Sequence, residues 1–294
     1  MSFYAFFGAV EQGFVYGLMV LGVYLTFRIL DFPDLTVDGS LPLGAAVSSV
    51  CIGWGMDPYL SLLPACLAGF AAGALTGVLN TKLKILHLLA SILTMIALYS
   101  INIRIMGKPN LTLLGKPTVL DPLAALGLPS ALAGPVLFGC VTILAALALV
   151  WFTRTQLGQA MLATGDNPRM IVSLGVNTDA MIILGVGLSN ALVALSGALV
   201  AQNQGSADVN MGVGTIVAGL ASVIIGETLL GRGRIGRMIL AAVAGSVAYR
   251  LAIALALGMK IGTFSFAPSD LNLITALVVV AALTAPRLKR KLSA

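Results

Sequence analysis

MIILGVGLSNALVALSGALVA, residues 181–201, runs for 21 residues without a charged side chain. At 1.5 Å per residue a helix of that length reaches about 31 Å, the thickness of a bilayer's hydrocarbon core. Eight further apolar runs lie at 8–27, 41–53, 60–79, 86–105, 135–152, 215–230, 238–258 and 271–285. None shows the alternation over ~10 residues that a barrel strand needs. The reading is an all-α polytopic membrane protein, a single transmembrane domain over 1–294 with about nine transmembrane helices. Composition agrees, with 59% of residues hydrophobic and only 10% charged, where a soluble domain carries about a quarter. The run at 41–53 is short and contains Pro42 and Gly44, which predicts a broken or re-entrant helix rather than a plain crossing.

The net charge of +6 is distributed at the ends of apolar runs and forms no continuous stripe, so it points to membrane topology and to no nucleic acid. With the N-terminus outside, alternate connections on one side hold Arg28, Lys82, Lys84, Arg154, Arg169, Arg232, Arg234, Arg237, Arg287, Lys289, Arg290 and Lys291. The other side holds Arg104, Lys108, Lys116 and Lys260. Enrichment of Lys and Arg on the cytoplasmic side therefore predicts an outer N-terminus and a cytoplasmic C-terminus. The terminal Arg287-Leu288-Lys289-Arg290-Lys291 reads as an anchor at anionic membrane lipid. The first basic residue is Arg28, so the first run is expected to stay as a span and not to be removed as a leader.

Several chemistries are excluded. Cys51, Cys66 and Cys140 are odd in number and lie in or beside apolar runs, which argues against a disulfide framework or a thiolate metal site. His87 is the only histidine, so no imidazole cluster exists for metal binding or acid–base catalysis. No phosphate loop of the Gly-x-x-x-x-Gly-Lys-Ser/Thr type occurs; Gly107-Lys108-Pro109 and Gly115-Lys116-Pro117 lack the hydroxyl residue. The expectation is a chain that is not an enzyme, binds no cofactor and holds no metal, with any ATP and Mg carried by a separate subunit.

The longest polar excursion on the cytoplasmic side is the segment 153–180. Within it Asp166-Asn167-Pro168-Arg169-Met170-Ile171-Val172-Ser173-Leu174-Gly175 spells a short capped helix. Asn167 can cap the first free N–H groups, Pro168 suits the first helical position and Gly175 the left-handed end. About two turns would carry Met170, Ile171 and Leu174 on one face. So short a helix needs a surface to lie on, either the membrane interface or a groove in a partner protein.

Polar groups at membrane depth are the candidates for a transport path. Asn102, Asn190, Glu227 and Arg250 lie inside runs, and interhelical hydrogen bonds compete with solute contact for both asparagines. Glu227 is expected to pair with Arg232 or Arg234. Gln202, Asn203, Gln204, Asp208 and Asn210 make a polar outer stretch that Asp38 and Ser40 could face from the other half. Asp38-Gly39-Ser40-Leu41-Pro42-Leu43-Gly44 also echoes Asp208-Val209-Asn210-Met211-Gly212-Val213-Gly214, each after a long span but of opposite direction, as an inverted repeat would place them. The outer segment 107–133 is long enough to meet a delivery protein, or to be a solvated connection.

Leu157-Gly158-Gln159-Ala160-Met161-Leu162-Ala163-Thr164-Gly165-Asp166-Asn167-Pro168, then Leu174-Gly175-Val176-Asn177, then the run from Leu188 to Leu199, resembles the coupling-loop signature of ABC permeases of the branched-chain amino-acid and ribose class. The resemblance extends through Ile225-Gly226-Glu227 and Gly231-Arg232-Gly233-Arg234-Ile235-Gly236-Arg237. In the first half, Leu35-Thr36-Val37-Asp38-Gly39-Ser40 is most similar to the subgroup of tryptophan/tyrosine import permeases. It implies a homodimer in a bacterial inner membrane, two cytoplasmic ABC ATPase subunits, an extracytoplasmic solute-binding protein and an amino-acid cargo, aromatic in this subgroup. The Asn-Phe-Ala-His-Gly loop of the branched-chain permeases is absent, so a nucleoside or sugar cargo stays open. An ion-gradient transporter, which would place carboxylates near the midplane, is the competing class, and a lipid-modifying enzyme a more distant one.

Overall fold

The computed structural model describes residues 3–122, 130–231 and 233–258, with 260–261, 264–265 and 280. Helix α1 (Phe3–Tyr24) continues into a π-helical turn at Leu25–Ile29, and α2 (Val37–Gly53), α3 (Leu62–Thr81) and α4 (His87–Met106) follow. After strand β1 (Asn110–Thr112) come α5 (Ser130–Arg154), α6 (Gln156–Asp166), α7 (Pro168–Ser173) and α8 (Thr178–Gln204). Strand β2 (Ser206–Asp208), α9 (Thr215–Leu230) and α10 (Ile235–Gly258) complete the described elements used below. Among the described residues seven helices are long and apolar enough to cross a bilayer, and α2 is shorter. The ninth expected span, 271–285, lies outside the described residues apart from position 280, as do the basic cluster at 287–291 and Arg232.

Helix α8 is the axis of the bundle, the most buried of the spans, while α4 is the least. Ser189 Oγ donates to the Gly22 carbonyl at 2.7 Å and Ser196 Oγ to the Val15 carbonyl at 2.8 Å, so α1 runs antiparallel to α8. On α3 the glycines 69, 73 and 77 recur every fourth residue along the face turned to α8. A methyl group at Gly73 would overlap the Val186 carbonyl oxygen, and one at Gly77 would stand 2.8 Å from Ile183 Cα. In hydrocarbon, where apolar burial gives no preference for helix over lipid, backbone approach of this kind supplies the packing energy.

Two helices start inside the bundle. After α1 the chain turns back, burying Phe32, Asp34 and Thr36. The Thr36 hydroxyl meets the Thr76 hydroxyl at 2.9 Å, and Asn190 Nδ2 donates to Asp34 Oδ2 at 2.7 Å. From there α2 departs along α8, with Ser48 reached by Gln202 further on. At the other end of the bundle β1 and β2 pair antiparallel, Leu111 opposite Ala207. The chain then re-enters through a 3-10 turn, Val209–Gly212, and begins α9. So α1–α2 and α8–α9 are two helix–re-entrant turn–short helix units of opposite direction. Their matching turns are Asp34 Oδ1 accepting from Thr36 N (2.9 Å) and Asp208 Oδ1 accepting from Asn210 N (2.7 Å). The repeat register thus pairs Asp34 with Asp208, four residues earlier than the sequence echo at Asp38. Helix α2 is also continuous through Pro42, beginning earlier than the expected run at 41. Its proline leaves the Asp38 carbonyl without its helical donor, and Gly212 packs against that carbonyl.

Gly73→Leu is expected to push α3 off α8 and to lower the thermal midpoint of the detergent-solubilised protein by several degrees, in line with roughly 1–3 kcal/mol of overpacking. Gly8→Ala, where a methyl meets nothing within 4 Å, leaves it unchanged. Equal midpoints for the two variants in a fluorescence melt would remove α8 from the centre of the packing argument.

Candidate functional site

The two short helices meet at their N-termini, where the backbone leaves donors without helical partners. Asp38 satisfies them on α9. Its Oδ1 accepts from Ile216 N at 2.9 Å and from Thr215 Oγ1 at 3.0 Å, and its Oδ2 accepts from Gly214 N at 3.0 Å. A carboxylate at that position is also favoured by the positive end of the helix dipole. Gly214 sits at φ +78°, the left-handed conformation that lets the chain turn into the helix.

Cavities flank this clasp on the face formed by α4 and α9. On the side of α2 lies a cavity of about 410 Å³ lined by Asp38, Pro42, Ile96, Tyr99, Asn102 and Val213. On the other side, toward Arg28, lies one of about 230 Å³ lined by Phe27, Asp34, Leu88, Ile216, Val217 and Leu220. Both are walled chiefly by apolar groups, and the Asp38 clasp lies between them along the bundle axis. The arrangement is two separate cavities with one polar junction beside them.

The expected path residues divide. Asp38 and Asn102 line the larger cavity, Asn102 donating to the Gly39 carbonyl at 3.2 Å. Ser40 is fully buried in α2. Asn190 Nδ2 ties α8 to Asp34 on the re-entrant turn and also donates to the Val186 carbonyl within α8, and Asn190 is not among the described residues that line either cavity. Gln202 is a brace for the end connections, accepting from Val119 N at 3.1 Å and donating to Ser48 Oγ and the Pro58 carbonyl. Asn203 bonds Glu11. Asp208 accepts from Asn110 Nδ2 at 3.2 Å as well as from Asn210, which is exposed. The polar stretch 202–210 therefore holds loops together, and its polar side chains are not among the described residues that line the two cavities. Sequence reading passed over Asp34, Tyr99 and Ser100; the adjacent polar pair Tyr99-Ser100 inside an apolar run was the available signal.

At the end of the bundle that carries Arg28, Lys82, Arg154 and Arg169, α6 and α7 form a polar ledge. Thr155 caps α6, and Asn167 Oδ1 accepts from Met170 N at 3.1 Å to cap α7, with Pro168 at its start and Gly175 at φ +83°. The expected face of Met170, Ile171 and Leu174 is corrected. Ile171 is 5% exposed and roots the helix in the bundle, whereas Met170, Val172 and Leu174 project outward at 48%, 57% and 70%. In six residues one apolar side chain suffices to seat the helix. Arg169 is exposed beside them, and Gly165 and Asp166 line a polar groove of about 650 Å³ with Arg28, Asp31 and Gln159.

Glu227, 7% exposed, takes Arg28 as its partner, Nε to Oε1 at 2.5 Å and Nη2 to Oε2. The expected partners were Arg232, which lies outside the described residues, or Arg234; the described ion pair links α9 to the π-helical turn of α1. That partner is 199 positions away, beyond any local spacing argument. Arg250 stacks over the Tyr16 ring at 3.7 Å, which removes it from the path.

Residues 5–285 match the family described as the permease component of branched-chain amino acid transport systems. The chain belongs to that family. A tyrosine transport system permease protein of Clostridioides difficile is 42% identical over 272 residues, covering 92% of this chain and 88% of the relative. LsrC, an autoinducer 2 import system permease of Yersinia pestis, is 29% identical and aligns with 60% of this chain and 49% of its own. Two solved structures share the fold at 16% and 15% identity, a metal-chelate-type ABC transporter in an inward-facing conformation (TM-score 0.55, 97% of this chain and 85% of that one) and PsaBC from Streptococcus pneumoniae in complex with Fab (0.53, 96% and 91%). The permease is thus an ABC transporter subunit that spans the membrane several times.

Glu227→Gln in this permease is expected to cost on the order of 1–3 kcal/mol, below the full loss of a buried pair because Arg28 stays 31% exposed. Adding Arg28→Met should recover part of that loss. A thermal double-mutant cycle with no coupling between the two positions would show the pair to be idle.

Proposed function

We propose that this permease imports an aromatic amino acid, tyrosine foremost, by alternating access, as a homodimer driven by separate ATPase subunits that carry the ATP and Mg. The observation that carries the cargo is the 42% identity, over nearly the whole of both chains, to a tyrosine transport system permease. The two cavities divided by the Asp38 clasp supply a route: opening toward one end with the clasp closed below, then toward the other. A second copy seated on the open α4–α9 face would close both cavities laterally, which explains why polar Tyr99 and Ser100 sit exposed within a span.

The basic end of the bundle faces the cytoplasm in this reading, following the bias of Lys and Arg to that side. There α7 offers Met170, Val172 and Leu174 as a small apolar knob beside a polar groove, the shape a motor subunit would grip. Asp166, Asn167, Pro168, Arg169 and Gly175 shape and flank it. At the opposite end the β1–β2 pair and the adjoining loops receive solute from an extracytoplasmic binding protein, with the N-terminus on that side.

Replacing 168–174 by a Gly/Ser linker, or making Leu174→Asp together with Met170→Asp, is expected to abolish co-purification of the ATPase while membrane yield stays within a factor of two. An undiminished motor complex would place docking elsewhere. For cargo, cells expressing the complete system should accumulate labelled tyrosine at least tenfold above a permease-deleted strain, with leucine, ribose and nucleosides near background. Uptake of leucine or ribose in preference to tyrosine would overturn the assignment, and uptake persisting in ATPase-free proteoliposomes under an ion gradient would overturn the mechanism.

A further inference from the structure

The 410 Å³ cavity beside Asp38 is the size of a small-molecule pocket and carries an uneven chemistry. Met95, Ile96, Pro42 and Val213 make most of its wall, and the Tyr99 ring stands half exposed at its edge. Its polar groups are the Asp38 carboxylate, the Asn102 amide and, at the rim, the hydroxyls of Tyr99 and Ser100. Asn102 is fully buried, its Nδ2 donates to the Gly39 carbonyl, and its Oδ1 has no hydrogen-bond partner among the described residues. Exchanging the two ends of that amide would set oxygen against the Gly39 carbonyl, so the unpaired group is the oxygen. Buried polar atoms without partners are rare, and one in a cavity wall marks a place where a donor arrives.

Asp38 is the second acceptor. Its carboxylate takes three hydrogen bonds, from Gly214 N, Thr215 Oγ1 and Ile216 N, and a carboxylate can accept about four. Among the described residues no Lys, Arg or His lines the cavity, so the one formal charge in their lining is the Asp38 carboxylate, with an unpaired amide oxygen and two rim hydroxyls among apolar walls. The matching guest is a compact cation with several donors, joined to a flat apolar body. A protonated primary amine on an aromatic side chain has that form.

We propose that this cavity is the cargo site of the permease, with the guest's ammonium held between Asp38 and Asn102 and its aromatic ring lodged against Tyr99, Ile96 and Val213. It deepens the reading of the cargo as an aromatic amino acid and rests on it. The site reads amine and ring; the cargo's carboxylate stays outside the cavity, toward the second copy. Because the ammonium shares the carboxylate that caps α9, an occupied site draws on the same group that closes the passage.

The test uses the assembled permease–ATPase complex in nanodiscs, without binding protein, and measures binding of labelled tyrosine. Tyramine, which keeps the amine, is expected to displace it. 3-(4-Hydroxyphenyl)propionate, which lacks the amine, is expected to need at least tenfold more. Ser100→Phe, at the exposed rim, should fill the cavity and weaken binding at least tenfold with the ATPase still bound, and Asn102→Leu should do the same by removing the acceptor. Equal displacement by the two analogues, or wild-type binding by Ser100→Phe, would overturn the site while leaving tyrosine as cargo. A wild-type complex that neither binds nor transports tyrosine would overturn both.

Discussion

A helix that begins inside a membrane-protein bundle leaves its first N–H groups without helical partners, and among the described residues this permease has two such helices. Each unsatisfied group there would cost several kcal/mol. The chain resolves the problem with aspartates. Asp34 takes the Thr36 amide ahead of α2, and Asp38, on the first turn of α2, takes the amides of Gly214 and Ile216 at the start of α9. Each aspartate is itself a buried or half-buried acid, acceptable in that place because donors surround it. Neither re-entrant turn could sit at that depth without these bonds, and the cavities exist because the turns are there.

The rest of the bundle follows from bringing those turns together. Helix α8 must lie close to α1, α2 and α3 at once, and side chains larger than hydrogen would hold them apart. Gly22 and Gly44 face Ser189 and Ala194, Gly197 faces Leu41, and the three glycines of α3 face the same helix. Close approach also brings Ser189 and Ser196 within reach of α1 carbonyls, so the contacts that set the spacing also supply interhelical hydrogen bonds. Helix α4, by contrast, contributes few buried residues and leaves a broad apolar face, suited to lipid or to a second copy.

What could be read from the residues follows the range of the forces involved. Span positions are legible because hydrocarbon thickness imposes a length on each run, and the caps of α7 because Asn167, Pro168 and Gly175 act within a few residues of themselves. The half-helix character of α2 is legible in part: length and Pro42 mark it, but its start four residues before the expected run depends on Thr36 and Asp34 being buried by α3 and α8. The internal repeat is visible as composition and misregistered, because Asp38 resembles Asp208 in sequence while Asp34 matches it in hydrogen bonding. Gln202 and Asn190 look like solute ligands in one dimension and are braces in three. Whether a buried amide binds cargo or a neighbouring helix depends on contacts across more than a hundred residues, and no spacing rule encodes those.

Helix α9 joins the two ends of the problem. Its sixteen residues span about 24 Å, with the Asp38 clasp at the N-terminal end and Glu227 within a turn of the other. Glu227 is fastened to Arg28 on the π-helical turn of α1, and Arg28 lines the groove that Asp166 closes from α6. In the coupling proposed above, a push on the α6–α7 ledge would have a short path to α9 through that ion pair. The π-helical turn, an irregularity of the kind found at functional sites, carries Arg28 to the edge of that groove. Since α9 is anchored at both ends by carboxylates, one at Asp38 and one at Glu227, a tilt sufficient to open the cavity nearer Arg28 must strain one anchor or the other. In the alternating mechanism proposed above, the two carboxylates are the inner and central gates of the same rod.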